Sequence, residues 1–204
     1  MARHSIIPPR GAAGGSFAGT LYPADMALEH WLLERLFERR IVLVTGRLDD
    51  DVAARAAAAL VALDAGGNRP IEIHLSSPDG VLGAVFAVID TVDGLRSPVH
   101  VLCRGQVGGP AVGVIAAASH RIATPHARFH LFQPAARLIG TPAEIEAQSR
   151  EQQDVLWKLY GRLASRTGQP AEEIAEHMRR GRHLSSREAL DYGLIDEITA
   201  AGES

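Results

Sequence analysis

The stretch Val99-His100-Val101-Leu102-Cys103 is followed, after one arginine, by Gly105-Gln106-Val107-Gly108-Gly109-Pro110-Ala111. The first part is short, apolar and β-branched at alternate positions, and it predicts a buried strand. The second part predicts a glycine-rich tight turn that leads into a helix of small residues over 111–119. A strand, a tight turn and a helix in this order form half of a right-handed β-α-β unit. The stretch therefore favours an α/β fold.

The same succession of strand and helix recurs along the chain. Asp49 and Asp50 favour the start of an alanine-rich helix, which the pair Gly66-Gly67 ends. Strands that alternate with helices of this length predict a mostly parallel sheet. The predicted elements are helices at 26–38, from 50 to about 65, at 81–92 and at 111–119, and strands at 41–44, 71–75, 99–103, 121–123 and 128–132.

The last third of the chain is predicted to be helical. Thr141 and Glu144 form a capping box with Pro142 at the first helical position, so a helix starts there and continues to about residue 166. Its first half is polar, and its second half carries apolar residues at core spacing. This pattern is typical of a helix that projects from a globule or meets another subunit. A further helix is predicted at 171–180.

A chain of 204 residues fits one domain. Residues 1–25 are rich in Gly, Pro and Ala, and they predict a flexible arm because such a segment buries too little apolar area to offset the entropy of ordering it. Residues 26–198 are predicted to form the single domain, and residues 199–204 a C-terminal tail.

Composition excludes several classes of function. Hydrophobic residues make up 46% of the chain and charged residues 22%, which suits a packed core and not a disordered chain. Lys and Arg number 21 against 24 Asp and Glu, a net charge of -3, so the basic footprint of a nucleic-acid-binding protein is missing. The sequence shows neither an apolar run that would span a bilayer nor an apolar signal-peptide core. We expect no membrane partner and a cytoplasmic location.

The residue types that hold metals and cofactors do not form a recognisable site in the sequence. Cys103 is the one cysteine and lies in a predicted strand, where it is best interpreted as a small core residue. His126 and His130 are close in sequence, but strand geometry would separate their Cα atoms by roughly 13 Å. The chain has neither a phosphate-binding loop nor a Gly-x-Gly-x-x-Gly motif. We therefore predict no metal and no cofactor.

The turn before the helix of small residues is a place where hydrolases carry a serine nucleophile. Here Gly109 has no side chain that could attack a substrate, and Pro110 has no N–H to donate. From these residues alone, a purely structural turn is the better interpretation.

A set of short segments, spread over about three-quarters of the chain, carries a family resemblance. The segments are Arg40-Ile41-Val42-Leu43 with Gly46, Ser77-Pro78 with Gly80, Gly105, Gln133-Pro134, Thr167-Gly168-Gln169-Pro170, Leu184-Ser185 with Glu188-Ala189, and Tyr192-Gly193-Leu194-Ile195-Asp196. From Gly46 to Ile198 the chain resembles the Clp protease proteolytic subunit (ClpP), a serine peptidase that stacks two heptameric rings. The resemblance implies a crotonase-like α/β spiral of β-α-β units with a protruding handle helix.

The resemblance also implies a serine, histidine and aspartate triad, and this chain departs from it at every position. The family's serine falls on Gly109, its histidine on Phe132 and its aspartate on Gly181. The two residues that would donate backbone N–H groups to the oxyanion fall on Asp79 and Pro110. Peptide cleavage by a triad needs a nucleophile, a base and an orienting carboxylate, and the charge of Asp79 would repel an oxyanion. We therefore predict a catalytically inactive member of the family, a pseudopeptidase with a structural or regulatory role in protein degradation.

Assembly is the property that the resemblance leaves intact. Family members associate through head-domain faces within a ring and through the handle helix between rings. His74 falls in the surface pocket where the ATP-driven (AAA+) unfoldase docks, which leaves docking open. The expected partners are copies of this chain, an active ClpP paralogue and an AAA+ unfoldase. The candidate contact residues between subunits are Gln148, Gln152, Val155, Leu159 and Arg180.

Two other functions remain open at this point. A crotonase-like enzyme that acts on an acyl-CoA thioester shares the spiral fold, although Asp79 and Pro110 also damage the backbone oxyanion site that such enzymes need. A peptidase with non-standard catalytic residues is the other alternative. Such a peptidase would recruit His130 in place of a histidine at position 132 and His183 in place of an aspartate at position 181. Each is displaced from that position by about 6–7 Å.

Overall fold

A five-stranded sheet, with all its strands parallel, lies at the centre of the protein in a computed structural model that describes residues 24–135 and 139–200. In their order across the sheet, the strands are β1 (Ile41–Thr45), β2 (Ile71–Ser76), β3 (Val99–Cys103), β5 (His120–Ala123) and β8 (Glu197–Ile198). The predicted α/β class with a mostly parallel sheet is confirmed. The arm up to residue 23 and the tail from residue 201 lie outside the described residues.

Four helices accompany this sheet. Their bounds are α1 (Ala24–Glu38), α2 (Asp50–Ala65), α3 (Leu82–Gly94) and α4 (Val112–Ala117). Of these, α2, α3 and α4 contribute buried residues to its core, whereas the described side chains of α1 are largely exposed. As predicted, Asp49 caps α2 by accepting the N–H of Val52 at 3.0 Å. Alternate strand residues such as Val44 and Ile73 are fully buried, and they share one core with Leu60 of α2 and Val88 of α3. This alternation is expected where one face of a sheet is covered by helices.

A second, smaller sheet was not predicted from the sequence. It consists of β4 (Gln106–Gly108), β6 (Arg128–Leu131) and β7 (Arg182–Ser185), with β4 parallel and β7 antiparallel to β6. A short 3-10 turn over Gly109–Ala111 joins β4 to α4. The carboxyl end of β4 is therefore also the start of the turn that the sequence analysis singled out.

The predicted long helix is present as α5 (Pro142–Thr167). Thr141 and Glu144 form both hydrogen bonds of the capping box, which confirms its predicted start, and the left-handed Gly168 ends it. The first half of α5 is largely exposed, whereas the second half is anchored in the core. The buried residues of the second half are Leu156, Leu159, Tyr160 and Leu163.

Two short helices complete the fold. They are α6 (Ala171–Arg180) and α7 (Ser186–Asp191), and they flank β7 on either side. Among the described residues, no helix combines the length and the apolar character needed to span a membrane.

Candidate functional site

Four segments meet beside the ends of the strands of the smaller sheet. The turn that follows β2 runs next to the end of β4, because Gly108 donates its N–H to the carbonyl oxygen of Ser77 at 2.9 Å. Phe132 directly follows β6, and Gly181 directly precedes β7. Because β4, β6 and β7 are hydrogen-bonded neighbours, their pairing brings these segments together. The region contains all the positions that the resemblance assigned to catalysis, namely Asp79, Gly109, Pro110, Phe132 and Gly181.

Gly109 has a conformation and a setting that disfavour a side chain. Its φ of +52° lies in the left-handed region, which costs a residue with a Cβ about 1–2 kcal/mol. A Cβ at this position would lie only 2.8 Å from Cζ of Phe132 and 3.1 Å from Oδ1 of Asp79. The ring of Phe132 therefore occupies the space that a side chain at position 109 would need.

The carboxylate of Asp79 points toward the same place. Its Oδ1 accepts the N–H of Gly80 at 2.7 Å, and its Oδ2 accepts a hydrogen bond from Nε of Arg47 at 3.3 Å. An oxyanion is stabilised by convergent donors. Asp79 instead brings a negative charge close to Gly109 and occupies one backbone N–H of the turn.

Pro110 removes a further donor. It is buried within the 3-10 turn, directly after Gly109, and its ring nitrogen carries no hydrogen. The backbone that would face a substrate carbonyl therefore offers no N–H at residue 110.

Two histidines lie near Phe132 instead of contacting position 109. The ring centroid of His130 is 4.6 Å from that of Phe132 and 3.8 Å from that of His183. A Cβ on Gly181 would lie 3.4 Å from Nε2 of His130. His130 thus lies next to the position of the family's aspartate, while the ring next to the position of the family's serine belongs to Phe132.

Other nucleophiles near the site are held in structural roles. The hydroxyl of Ser77 is buried and donates to the carbonyl oxygen of Asp79 at 2.7 Å. Cys103 is also buried, and burial raises the pKa of its thiol, so it stays protonated. Within residues 24–135 and 139–200, no three His, Cys, Asp or Glu side chains are placed to hold a metal ion.

The candidate contact residues on α5 differ in accessibility. Gln148 is exposed, and Gln152 and Val155 are partly exposed. Leu159 is fully buried in the chain's own core, where a Cβ added to Gly113 would lie 2.6 Å from its Cδ1. The prediction that Leu159 contacts another subunit is wrong for this reason: its side chain has no surface left to bury. Helical spacing alone cannot separate a residue packed within the chain from one packed against a partner.

Arg180 and His74 lie elsewhere on the surface. Arg180 is exposed and pairs with Glu176 one turn earlier on α6. His74 is a register partner of Leu43 on β1 and of Leu102 on β3, and it contacts Glu72. Leu43 is exposed, so this part of the sheet presents an apolar and a titratable side chain next to each other.

The closing motif of the chain carries a structural ion pair that the sequence analysis missed. Asp196 accepts hydrogen bonds from the backbone N–H and Nε of Arg121, at 2.9 and 3.0 Å. Nη1 of Arg121 also donates to the carbonyl oxygen of Gly193 at 2.7 Å. Burial alone would raise the pKa of Asp196, but the hydrogen bonds and the charge of Arg121 outweigh it and lower the pKa. The motif therefore ties the end of the chain to β5.

Two comparisons with known proteins point to the same family. The family model described as Clp protease matches residues 27–202 of the chain. The chain is also similar to the ATP-dependent Clp protease proteolytic subunit 3 of Rhodococcus jostii (strain RHA1). The two are 32% identical over 180 residues, which cover 87% of this chain and 89% of that protein.

Proposed function

The chain belongs to the Clp protease family, and from this premise we propose that it is a noncatalytic subunit of a Clp protease-type ring complex. It assembles with further copies of itself or with an active paralogue in the cytoplasm, and an AAA+ unfoldase is the partner that feeds such a complex. Its contribution is to the structure or regulation of the ring and not to peptide cleavage.

The observation that carries this proposal is the contact between Phe132 and Gly109. A nucleophile at position 109 would overlap the ring of Phe132, which lies 2.8 Å from the place of its Cβ. The same ring stands where the base would be needed, and it cannot accept a proton. One side chain therefore accounts for the loss of both groups, and Gly181 adds the loss of the orienting carboxylate.

The electrostatics of the turn support the same conclusion. Asp79 places a carboxylate 3.1 Å from the Cβ position of residue 109, and Pro110 offers no N–H. Loss of a single oxyanion donor typically lowers kcat by about 100- to 1,000-fold. A charge of the wrong sign adds to that loss, so hydrolysis by a recruited nucleophile would also be slow.

Assembly is supported by the shape of α5. The first half of this helix is exposed along its length, and Ile145 and Trp157 present large apolar side chains to the surface. Gln148, Gln152 and Val155 lie on the same exposed part of the helix and remain candidate contact residues, as does Arg180 on α6. His74 remains the candidate residue for docking of the unfoldase.

The inactive site is tested with a fluorophosphonate probe, which labels activated serines. We expect the purified chain to show no labelling above a heat-denatured sample, with an active paralogue as the positive control. The Gly109→Ser variant should also stay unlabelled, because Phe132 still blocks the site and supplies no base. Ser77→Ala is the matched control for a recruited hydroxyl. Stoichiometric labelling of the wild type would overturn the proposal, and its loss in Ser77→Ala would identify the nucleophile.

The subunit role is tested by co-expression with an active paralogue from the same organism, followed by native mass measurement. Mixed rings, or a ring of this chain alone, are the expected results, and the first would favour the regulatory role. A strict monomer at micromolar concentration, alone and with the paralogue, would contradict the proposal.

A further inference from the structure

His130 and His183 face each other across the antiparallel strands β6 and β7. The two residues are register partners, and their rings stack with centroids 3.8 Å apart and planes 14° apart. His130 is partly buried and His183 is exposed. Two neutral imidazoles can stack in this way, but two imidazolium ions at this distance repel each other. Protonation of both imidazoles therefore costs free energy.

Among the residues that the structure describes, no carboxylate forms an ion pair with His130 or His183 that would offset that cost. Three other histidines have an acidic neighbour: His74 contacts Glu72, His120 lies 3.2 Å from Glu197, and His177 lies 3.7 Å from Glu173. His130 differs, because the pKa of its imidazole is affected by its burial in the protein and by His183. Burial and the charge of His183 both lower the pKa of His130.

The strands next to the pair carry positively charged or uncharged residues. On β4, Gly108 is the register partner of His130, and that strand has no titratable side chain. On β6, Arg128 lies opposite Ser185. On β7, the guanidinium of Arg182 lies over the ring of Tyr192 and donates to His177 at 2.8 Å.

The charged groups on the remaining neighbouring elements are already paired. At the end of α6, Arg179 and Arg180 both pair with Glu176. At the start of α7, Glu188 accepts the N–H of Ser185 at 2.7 Å. In the turn after β2, the carboxylate of Asp79 is held by the N–H of Gly80 and by Arg47.

We propose that the stacked pair His130–His183 is a proton-sensitive contact between β6 and β7, which is intact when His130 is neutral and is weakened when acidification charges His130. Strand β7 is held by its antiparallel pairing with β6, and because only Leu184 among its side chains is buried, the stack of His130 on His183 is one of its few side-chain contacts with β6. The effect reaches the degenerate site, since the ring of His130 also packs on Phe132. Acidification therefore weakens the side-chain contact between β7 and β6 and the packing of His130 on Phe132.

The sign of the effect follows from the direction of the shift. The pKa of His130 is lower in the folded protein than its ordinary value of 6.5, so folding favours the neutral imidazole. The stability that this contact contributes is fully present above pH 6.5 and is lost as the pH falls from 6.5 toward the lower pKa of the folded state.

The experiment uses the full chain in the oligomeric state that it adopts at pH 7.5. Amide hydrogen exchange of 182–185 is measured between pH 7.5 and 5, and the imidazole protons of His130 are titrated by NMR. After correction for the intrinsic pH dependence of exchange, we expect β7 to exchange about three- to tenfold faster at the lower pH. Light scattering at each pH reports separately on dissociation of the assembly.

The test variant is His183→Gln, which removes one partner at an exposed position. In this variant the pKa of His130 should rise, and β7 should lose most of its acid-induced increase in exchange. His126→Gln is the matched control, because His126 is also exposed but lies outside the pair; it should behave as the wild type. An unchanged titration of His130 in His183→Gln, or an acid-induced increase equal to that of the wild type, would overturn the proposal.

Discussion

Replacement of Gly109 by alanine adds one methyl group at the point where the turn after β2, the end of β4 and Phe132 meet. The added carbon would lie 2.8 Å from Cζ and 3.1 Å from Cε1 of Phe132, and 3.1 Å from Oδ1 of Asp79. These contacts are shorter than a packed methyl group tolerates, so the ring or the turn must shift. The substitution therefore tests directly whether the ring of Phe132 occupies the space next to residue 109.

Two independent costs determine the expected loss of stability. The left-handed backbone at residue 109 costs an alanine about 1–2 kcal/mol, and forcing a methyl group into a packed site costs about 1–3 kcal/mol. We expect a loss of about 2–5 kcal/mol in the free energy of unfolding, which corresponds to a fall in Tm of roughly 4–20 °C for a chain of this length.

A double-mutant cycle separates the two costs. Phe132→Ala should by itself cost about 1–3 kcal/mol, less than for a fully buried ring because Phe132 is partly exposed. In that background Gly109→Ala should cost mainly the backbone strain of about 1–2 kcal/mol, since the clashing ring is absent and only the contact with Oδ1 of Asp79 remains. The measurements are urea unfolding curves at one protein concentration, because assembly makes apparent stability depend on concentration.

Gly161→Ala is the control, because an added methyl group at this position contacts no other residue of the described chain. Gly161 lies inside α5, and a Cβ placed there has no heavy atom within 4 Å. Alanine should stabilise this helix by up to about 1 kcal/mol. The proposed overlap between residue 109 and Phe132 is refuted if Gly109→Ala is as stable as the wild type. It is also refuted if Gly109→Ala lowers the free energy of unfolding equally with and without the ring of Phe132.

Two further predictions concern the structural ion pair and a buried arginine. Asp196→Asn should cost about 1–3 kcal/mol, less than in a fully buried pair because the carboxylate is partly exposed. Because the pKa of Asp196 is lowered in the fold, its contribution exists above its ordinary pKa of 3.8 and disappears as the pH falls toward the lower folded value. Acid unfolding curves of the variant should therefore converge with those of the wild type below that range. Arg40 is buried, and its guanidinium donates to the carbonyl oxygens of Leu63 and Gly67. Because one ammonium group cannot reach both oxygens, Arg40→Lys should lower the free energy of unfolding in urea by about 2–4 kcal/mol. A loss below about 0.5 kcal/mol in either variant would contradict these assignments.

The larger sheet could be predicted from the sequence because each of its first strands is an apolar run bounded by turn residues. Ile71–Ser76 and Val99–Cys103 are examples, and both are buried as expected. The smaller sheet could not be predicted in this way. Gln106–Gly108 is short and ends in glycine, and Arg182–Ser185 lies in a basic stretch with one buried residue. Such strands form because the fold supplies a pairing partner from a distant part of the chain, which local pattern does not show.

The positions of the site followed from the family resemblance, but their contacts did not. Gly109, Phe132 and Gly181 could be named from the sequence, yet the overlap between a Cβ at residue 109 and the ring of Phe132 depends on how β4 and β6 pair. The stacking of His130 on His183 likewise depends on the register of β6 and β7. Distances between residues so far apart in sequence are properties of the tertiary structure alone.

Under the proposed noncatalytic role, the contact between Gly109 and Phe132 links the departures from the triad that the family resemblance implies at this site. A serine introduced at position 109 would meet the ring of Phe132, so it would destabilise the fold before it could act. A histidine introduced at position 132 would find no nucleophile, and Gly181 would leave it without a carboxylate to orient it. We therefore expect neither single change to produce peptidase activity. Asp79 and Pro110 would still oppose an oxyanion, which is also the group that acyl-CoA chemistry on this fold would need to stabilise. The geometry therefore favours a subunit whose site is occupied by its own packing over a peptidase or an acyl-CoA enzyme with unusual residues.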